Sequence, residues 1–229
     1  MGKVVAITGA YKGLGLALAE LFANKGYKLV LGGKDEEQLK KSAEKLKQTE
    51  VVVVKMDVVK RKDCEKFVNT AEEKFGRLDI LINNAGVLKN GSIEEVTEDD
   101  IKHTFEVNTF GPIYCSQAAI KIMKKQGSGY ILNIGSTSAV DYKSSHIAYG
   151  SSKAGLIGFT GCLKTELEGT GIRVSIFSPG GIKTDLHRLY PDRDKSKYMD
   201  PKFVADKILE HIENPSAEWH VTLRRPQKN

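Results

Sequence analysis

Tyr149 and Lys153, in the stretch Tyr149-Gly150-Ser151-Ser152-Lys153, are the pair in this chain best suited to proton chemistry. A spacing of four sets a phenol and an ammonium on one helix face, about one turn apart. A free phenol, with a pKa of about 10, is a poor acid or base near neutrality. A lysine cation within roughly 4–6 Å favours the phenolate, so Lys153 is expected to lower the Tyr149 pKa. Such a pair suits proton transfer to or from an alcohol or carbonyl oxygen. The spacing alone fits any amphipathic helix with a Tyr and a Lys, and the rest of the chain has to supply the context.

Ser136 lies thirteen residues before Tyr149, in Gly135-Ser136-Thr137-Ser138. Ser136 and Tyr149 as paired donors to one oxygen would stabilise a developing alkoxide. The same four residues are also ordinary polar turn composition, with Ser138 as a neighbouring competitor. Asn108, in Val107-Asn108-Thr109, disfavours a helix interior unless it is bonded, so it is either a site residue or an interior amide satisfied by backbone. His103, His146 and His187 form no metal pattern and read as surface or loop histidines. His146 and Tyr142 precede Tyr149 closely enough to line a pocket around it.

The elements that must position these residues alternate. Val4–Thr8, Lys28–Leu31, Val51–Lys55, Leu78–Asn83, Gly129–Ile134, Arg173–Phe177 and Glu218–Leu223 read as strands. Leu14–Lys25, Glu36–Gln48, Arg61–Phe75, Glu98–Lys125, Tyr149–Glu168 and Pro201–Glu213 read as helices. The strands are short apolar runs rather than alternating ones, as expected when both faces of a parallel sheet are covered. The expected fold is α/β: a three-layer, doubly wound (Rossmann) sheet of seven mostly parallel strands with helices on both faces. At 229 residues and 40% hydrophobic composition, one domain over 1–229 is expected. The charged stretch from Gly180 to Asp200, with Tyr190, Pro191 and Tyr198, reads as a substrate loop.

The net charge of +6 comes from 35 basic and 29 acidic residues, with the lysines scattered among glutamates. That pattern describes solvated helix faces rather than a nucleic-acid surface, although a basic surface helps attract a phosphorylated ligand. Cys64, Cys115 and Cys162 are odd in number, far apart and in apolar helical contexts, which reads as buried reduced thiols without zinc spacing. The N-terminus has no signal-peptide profile and no apolar run approaches ~18 residues, so a cytoplasmic location with no membrane partner is expected.

Between the first strand and first helix stands Thr8-Gly9-Ala10-Tyr11-Lys12-Gly13-Leu14-Gly15. Glycines there allow a tight turn and close approach of a pyrophosphate to the helix N-terminus. Gly9, Tyr11, Lys12, Gly13, Leu14 and Gly15 are therefore candidate dinucleotide contacts. NAD-binding folds commonly hold the ribose 2′-hydroxyl with an acid at the end of the second strand. Here that strand ends in Gly32-Gly33-Lys34, with Asp35 beyond. Lys12 and Lys34 would instead hold a 2′-phosphate as point charges, which favours NADP and leaves NAD possible.

With the glycine turn, Asp57-Val58, Asn83-Asn84-Ala85-Gly86, Asn108, Ser136, Tyr149, Lys153 and Pro179-Gly180 in this order, the chain resembles the short-chain dehydrogenase/reductase family in its compact single-domain branch. The resemblance spans residues 3 to 225. It implies that Tyr149 is the acid/base, that Lys153 tunes it and binds the nicotinamide ribose, and that Ser136 hydrogen-bonds the substrate oxygen. It also implies that Asn108 holds a water in a proton relay to Lys153. Asp57 and Val58 would bind adenine, and Asn84-Ala85-Gly86 would lie under the adenine ribose. Ile182 and Thr184 would contact the nicotinamide amide and diphosphate, and Pro179 and Gly180 would also bind the cofactor.

Two departures stand out. Tyr11 occupies a turn position usually held by a small residue, and the C-terminus lacks the longer glycine-containing tail of family tetramers. Ala154, Gly155, Gly158 and Gly161 leave room for close helix packing, either onto the chain's own sheet or, with the helix Glu98–Lys125, in the helical dimer interface that the resemblance implies. A homodimer or homotetramer is the expectation that the resemblance carries. The resulting reading is an NADP-dependent oxidoreductase interconverting a small carbonyl compound and an alcohol. The alternatives are a 3-oxoacyl-thioester (acyl carrier protein) reductase, for which Lys183, Arg188, Arg193 and Lys195 supply basic charge, and a non-catalytic dinucleotide-binding regulatory protein.

Overall fold

The computed structural model describes residues 2–187 and 198–224. Seven strands, β1 (Val4–Thr8), β2 (Lys28–Gly33), β3 (Val51–Lys55), β4 (Ile80–Asn83), β5 (Gly129–Ile134), β6 (Ile172–Pro179) and β7 (His220–Leu223), form one sheet in the order β3-β2-β1-β4-β5-β6-β7. Among the described residues every pairing of these strands is parallel. The helices are α1 (Gly13–Asn24), α2 (Glu36–Ala43), α3 (Arg61–Phe75), α4 (Glu98–Phe105), α5 (Gly111–Gln126), α6 (Ile147–Glu166) and α7 (Pro201–Glu213).

The side-chain alternation of β1 shows why both sheet faces are covered. Val5 and Ile7 face a core built with Leu14, Leu18 and Phe22 of α1 and Val204 and Ile208 of α7. Val4 and Ala6 face a second core with Phe67 and Val68 of α3, Cys115 and Met123 of α5 and Leu163 of α6. All five residues of β1 are buried, so neither face meets solvent.

Several boundaries differ from the sequence-based expectation, and three of the differences have a visible cause. The expected helix Glu98–Lys125 is interrupted by a π-helical turn at Glu106–Phe110. Pro112 follows it, and a proline offers no N–H to the carbonyl four residues back, that of Asn108, while its ring crowds that carbonyl. The backbone widens there, and such turns are frequent at functional sites. Strand β4 starts at Ile80 rather than Leu78 because the Gln126 side chain takes both main-chain groups of Leu78, accepting from its N–H (2.7 Å) and donating to its carbonyl (2.9 Å). Helix α2 stops at Ala43 rather than Gln48, where the chain tightens into a bond from the Leu46 N–H to the Ala43 carbonyl that tucks Leu46 into the core.

Candidate active site

The strand order reverses between β1 and β4, and the loops at the strand C-termini surround a cavity of about 470 Å³. A crevice at this switch point is where open parallel sheets bind ligands. One end is lined by Tyr11, Lys34 and Asp57, the other by Ser136, His146 and Tyr149.

The glycine turn is packed too tightly for side chains. Gly9 has φ +66°, and its N–H donates to the Gly32 carbonyl (2.7 Å). A Cβ on Gly15 would lie 2.2 Å from the Gly9 carbonyl oxygen, and one on Gly13 2.9 Å from the Thr184 methyl. Neither a capping side chain nor an acid occupies the first turn of α1, so its N-terminal N–H groups and dipole face the cavity uncompensated by protein charge. Asn84 braces the turn: its side-chain amide donates to the carbonyls of Thr8 (2.9 Å) and Gly9 (3.2 Å). In return Thr8 Oγ1 accepts from the N–H groups of Asn84 and Ala85, both at 3.0 Å. This cradle, open to an anion and closed to side chains, fits a dinucleotide pyrophosphate.

At the Lys34 end, Tyr11 lays its ring on Gly33, where an added Cβ would come within 2.8 Å of it. Lys34 Nζ lies 3.0 Å from Asp57 Oδ2. Burial works to raise the Asp57 pKa, but hydrogen bonds from Lys34 and the Val59 N–H outweigh it and hold the carboxyl below the usual range. Lys12 Nζ lies 3.7 Å from Asp185. Asp35 accepts from the Gln38 N–H (3.0 Å) as the N-cap of α2, so its carboxylate is already engaged.

At the other end Tyr149, Ser136 and Lys153 are all buried and all line the cavity. Burial pushes the Tyr149 phenol above the ordinary tyrosine value, with a hydrogen bond to Ser136 opposing it. The expected lowering by Lys153 is not seen. Lys153 Nζ donates to the Ile134 carbonyl (2.8 Å), and burial lowers its own pKa to about 8. The phenol is therefore protonated near neutrality, the state an acid needs to give a proton to a carbonyl oxygen. Ser138 also lines the cavity, but its hydroxyl is paired with His146 Nδ1 at 2.8 Å, which leaves Ser136 as the serine bonded to Tyr149.

Asn108 lies beneath the cavity rather than on its wall, fully buried. Its side chain accepts from the Val87 N–H (2.9 Å) and donates to the Val87 carbonyl (2.9 Å) and Ser152 Oγ (3.0 Å). Asn108 therefore has an interior, backbone-satisfied side chain, fixed to the helix that carries Tyr149 and Lys153. Gly86 lets this happen, since a Cβ there would come 3.3 Å from Asn108 Oδ1.

Val58, Leu14, Ala85, Pro179, Gly180, Ile182 and Thr184 all line the cavity. Tyr142 does not: its backbone turns to φ +22° and its side chain is 85% exposed. His103 is exposed and also borders the cavity, as do Gly181 and Tyr198 of the stretch read as the substrate loop. Gly181 lies under the Tyr198 ring, 2.9 Å from an added Cβ, a tertiary contact that no local pattern announces. Arg188, Tyr190, Pro191, Arg193 and Lys195, and the side chain of His187, lie outside the described residues. Among the described residues no cluster of three His, Cys, Asp or Glu forms a metal site.

The profile of the short chain dehydrogenase family matches residues 3–194. The chain belongs to the short-chain dehydrogenase family. An uncharacterized oxidoreductase of Staphylococcus aureus strain MW2 is 35% identical to this short-chain dehydrogenase over 214 residues, covering 93% of this chain and 92% of that one. An alcohol dehydrogenase from the archaeon Thermococcus sibiricus, complexed with 5-hydroxy-NADP, superposes with a TM-score of 0.89 at 28% identity over the whole of both chains. A short-chain dehydrogenase/reductase from Burkholderia phymatum in complex with NAD has a TM-score of 0.89 at 28% identity, covering 96% and 88%. A 3-ketoacyl-(acyl-carrier-protein) reductase from Brucella melitensis complexed with NADH has a TM-score of 0.88 at 27% identity, covering 97% of each chain. The protein is thus an oxidoreductase of this family with a fold that binds NAD or NADP.

Proposed function

We propose that this short-chain dehydrogenase is an NADP-dependent reductase of small carbonyl compounds, acting through Ser136, Tyr149 and Lys153. The observation that carries the reading is the buried, protonated Tyr149 phenol beside Ser136 at one end of a cavity whose other end is a glycine cradle. The bound nicotinamide supplies the hydride. Ser136 and Tyr149 donate hydrogen bonds to the substrate oxygen and stabilise its developing charge, and Tyr149 gives it a proton. Lys153, whose Nζ donates to the Ile134 carbonyl, would hold the nicotinamide ribose. Asn108 holds the π-helical turn against α6 and so keeps Lys153 in place. Gly9, Tyr11, Lys12, Gly13, Leu14, Gly15, Asp57, Val58, Asn84, Ala85, Gly86, Pro179, Gly180, Ile182 and Thr184 make the dinucleotide contacts.

Two observations favour NADP over NAD. Asp35 caps α2 and does not line the cavity, and the largely exposed Lys34 side chain stands at the adenosine end, able to turn from Asp57 to a phosphate. Lys34→Ala is expected to weaken NADPH binding about 10-fold or more, the worth of a charged hydrogen bond. NADH binding should change by less than about twofold. Titration of both dinucleotides against both proteins, read by the shift in melting temperature, decides the point. Equal losses would remove Lys34 from the 2′-phosphate role.

The proposal includes a single domain, a substrate loop near residues 180–200, a homodimer or homotetramer and a cytoplasmic location. Among the described residues no helix is long and apolar enough to cross a membrane. A 3-oxoacyl-thioester substrate is the second reading, favoured by the likeness to the Brucella reductase and by Lys143 on the cavity wall.

A further inference from the structure

Ser136 and Tyr149 belong to different elements, a turn after β5 and a helix, yet two donors must converge on one oxygen to within a fraction of an ångström. One residue touches both arms. His146 immediately precedes α6, is 4% exposed and lines the cavity. Its Nδ1 is 2.8 Å from Ser138 Oγ, and the Ser138 N–H donates to Ser136 Oγ at 3.1 Å. Its ring meets the Tyr149 ring edge-on, with centroids 5.6 Å apart and planes at 88°.

The backbone of His146 is anchored too. Its carbonyl accepts from the Gly150 N–H at 2.7 Å, and it forms a bridge with Gly91. A Cβ on Gly150 would lie 3.0 Å from the Ser138 carbonyl oxygen, so turn and helix touch with no slack between them. A buried imidazole with a hydroxyl partner costs little to keep in place, whereas one without would be expensive.

We infer that His146, acting through Ser138, is a positioning residue that fixes the separation of the Ser136 hydroxyl and the Tyr149 phenol. The inference rests on the carbonyl-reductase reading above and extends it to a residue outside the Ser136, Tyr149 and Lys153 set. Loss of the His146–Ser138 bond frees the Ser136 turn from α6, so the two donors no longer address one point. Cofactor affinity, set mainly by the glycine cradle and the Lys34 end of the cavity, changes little.

The test compares His146→Ala, Ser138→Ala, the double variant and His146→Asn by NADPH oxidation with 2,3-butanedione, benzaldehyde and ethyl acetoacetate, alongside Tyr149→Phe. His146→Ala and Ser138→Ala should each lower kcat about 10-fold or more, with KM within about threefold and NADPH affinity within about twofold. The double variant should lose no more than the worse single one, because both changes break one link. His146→Asn, whose amide can occupy the place of Nδ1, should recover kcat to within about threefold of the unmodified protein. If His146→Ala does not fold, Ser138→Ala and His146→Asn carry the comparison. A kcat within twofold of the unmodified protein in Ser138→Ala, additive losses, or a matching loss of NADPH affinity would each overturn the inference. An active Tyr149→Phe, or no oxidation of NADPH by the unmodified protein with any of the three carbonyls, sinks the function reading instead. Amide exchange at Ser138 then decides the link without turnover. Faster exchange in His146→Ala, and its reversal in His146→Asn, supports the link, and unchanged exchange refutes it.

Discussion

Tyr149→Phe is expected to lower kcat for carbonyl reduction by about 10²–10⁴-fold, the usual worth of a positioned general acid. The melting temperature and NADPH affinity should stay close to those of the unmodified protein. Phenylalanine keeps the buried ring and its edge contact with His146 and removes only the hydroxyl bonded to Ser136. The size of the effect follows from the environment. Burial holds the phenol protonated, while Ser136 can donate a hydrogen bond but is too weak an acid to replace the proton. A variant retaining more than a tenth of the rate would place the acid elsewhere, and steady-state assays with purified protein read this directly.

Gly15→Ala should do comparable damage at the other end by a different route. The new Cβ would sit 2.2 Å from the Gly9 carbonyl oxygen and 2.5 Å from Asn84 Nδ2. The first is backbone in a turn already tied to β2, and the second is a brace bonded to Thr8 and Gly9, so neither yields without moving the cradle. Overpacking of this kind costs about 1–3 kcal/mol, which for a chain of this size lowers the melting temperature by roughly 2–12 °C. NADPH affinity should fall about 10-fold or more, because the α1 N-terminus and the turn shift apart. A variant that melts and binds like the unmodified protein would show that the turn has slack the structure does not display.

The parts of this protein legible in its sequence are those where local chemistry decides. The seven strands were readable because β-branched runs such as Val51–Lys55 have no other stable use between helices with apolar faces. The glycine turn was readable because its spacing has a mechanical purpose, which the Cβ distances at Gly13 and Gly15 now make explicit. The interrupted helix at Glu106–Phe110 was not foreseen, although Pro112 carried the signal, because helical periodicity runs straight through it. The rise in the Tyr149 pKa was also hidden. The spacing to Lys153 announces a charge effect, but burial is a property of the whole fold and outweighs it. Asn108 was open between two readings. Only the tertiary packing against Val87 and Ser152 shows its amide satisfied from within. His146 and Tyr198 fall in segments already read as lining the site, but their partners, Ser138 and Gly91 for the one and Gly181 for the other, come from tertiary contacts that no local pattern encodes.

The central claim, that this site moves a hydride from NADPH to a carbonyl carbon, is tested most directly by isotope transfer. NADPH deuterated at C4 of the nicotinamide is incubated with the protein and each of the three carbonyl compounds, and the alcohol is examined by mass spectrometry. Appearance of one deuterium on the carbinol carbon, absent with Tyr149→Phe, is the predicted result. Firm binding of NADPH with no deuterated alcohol from any of the three would contradict the account and leave a dinucleotide-binding protein without this chemistry.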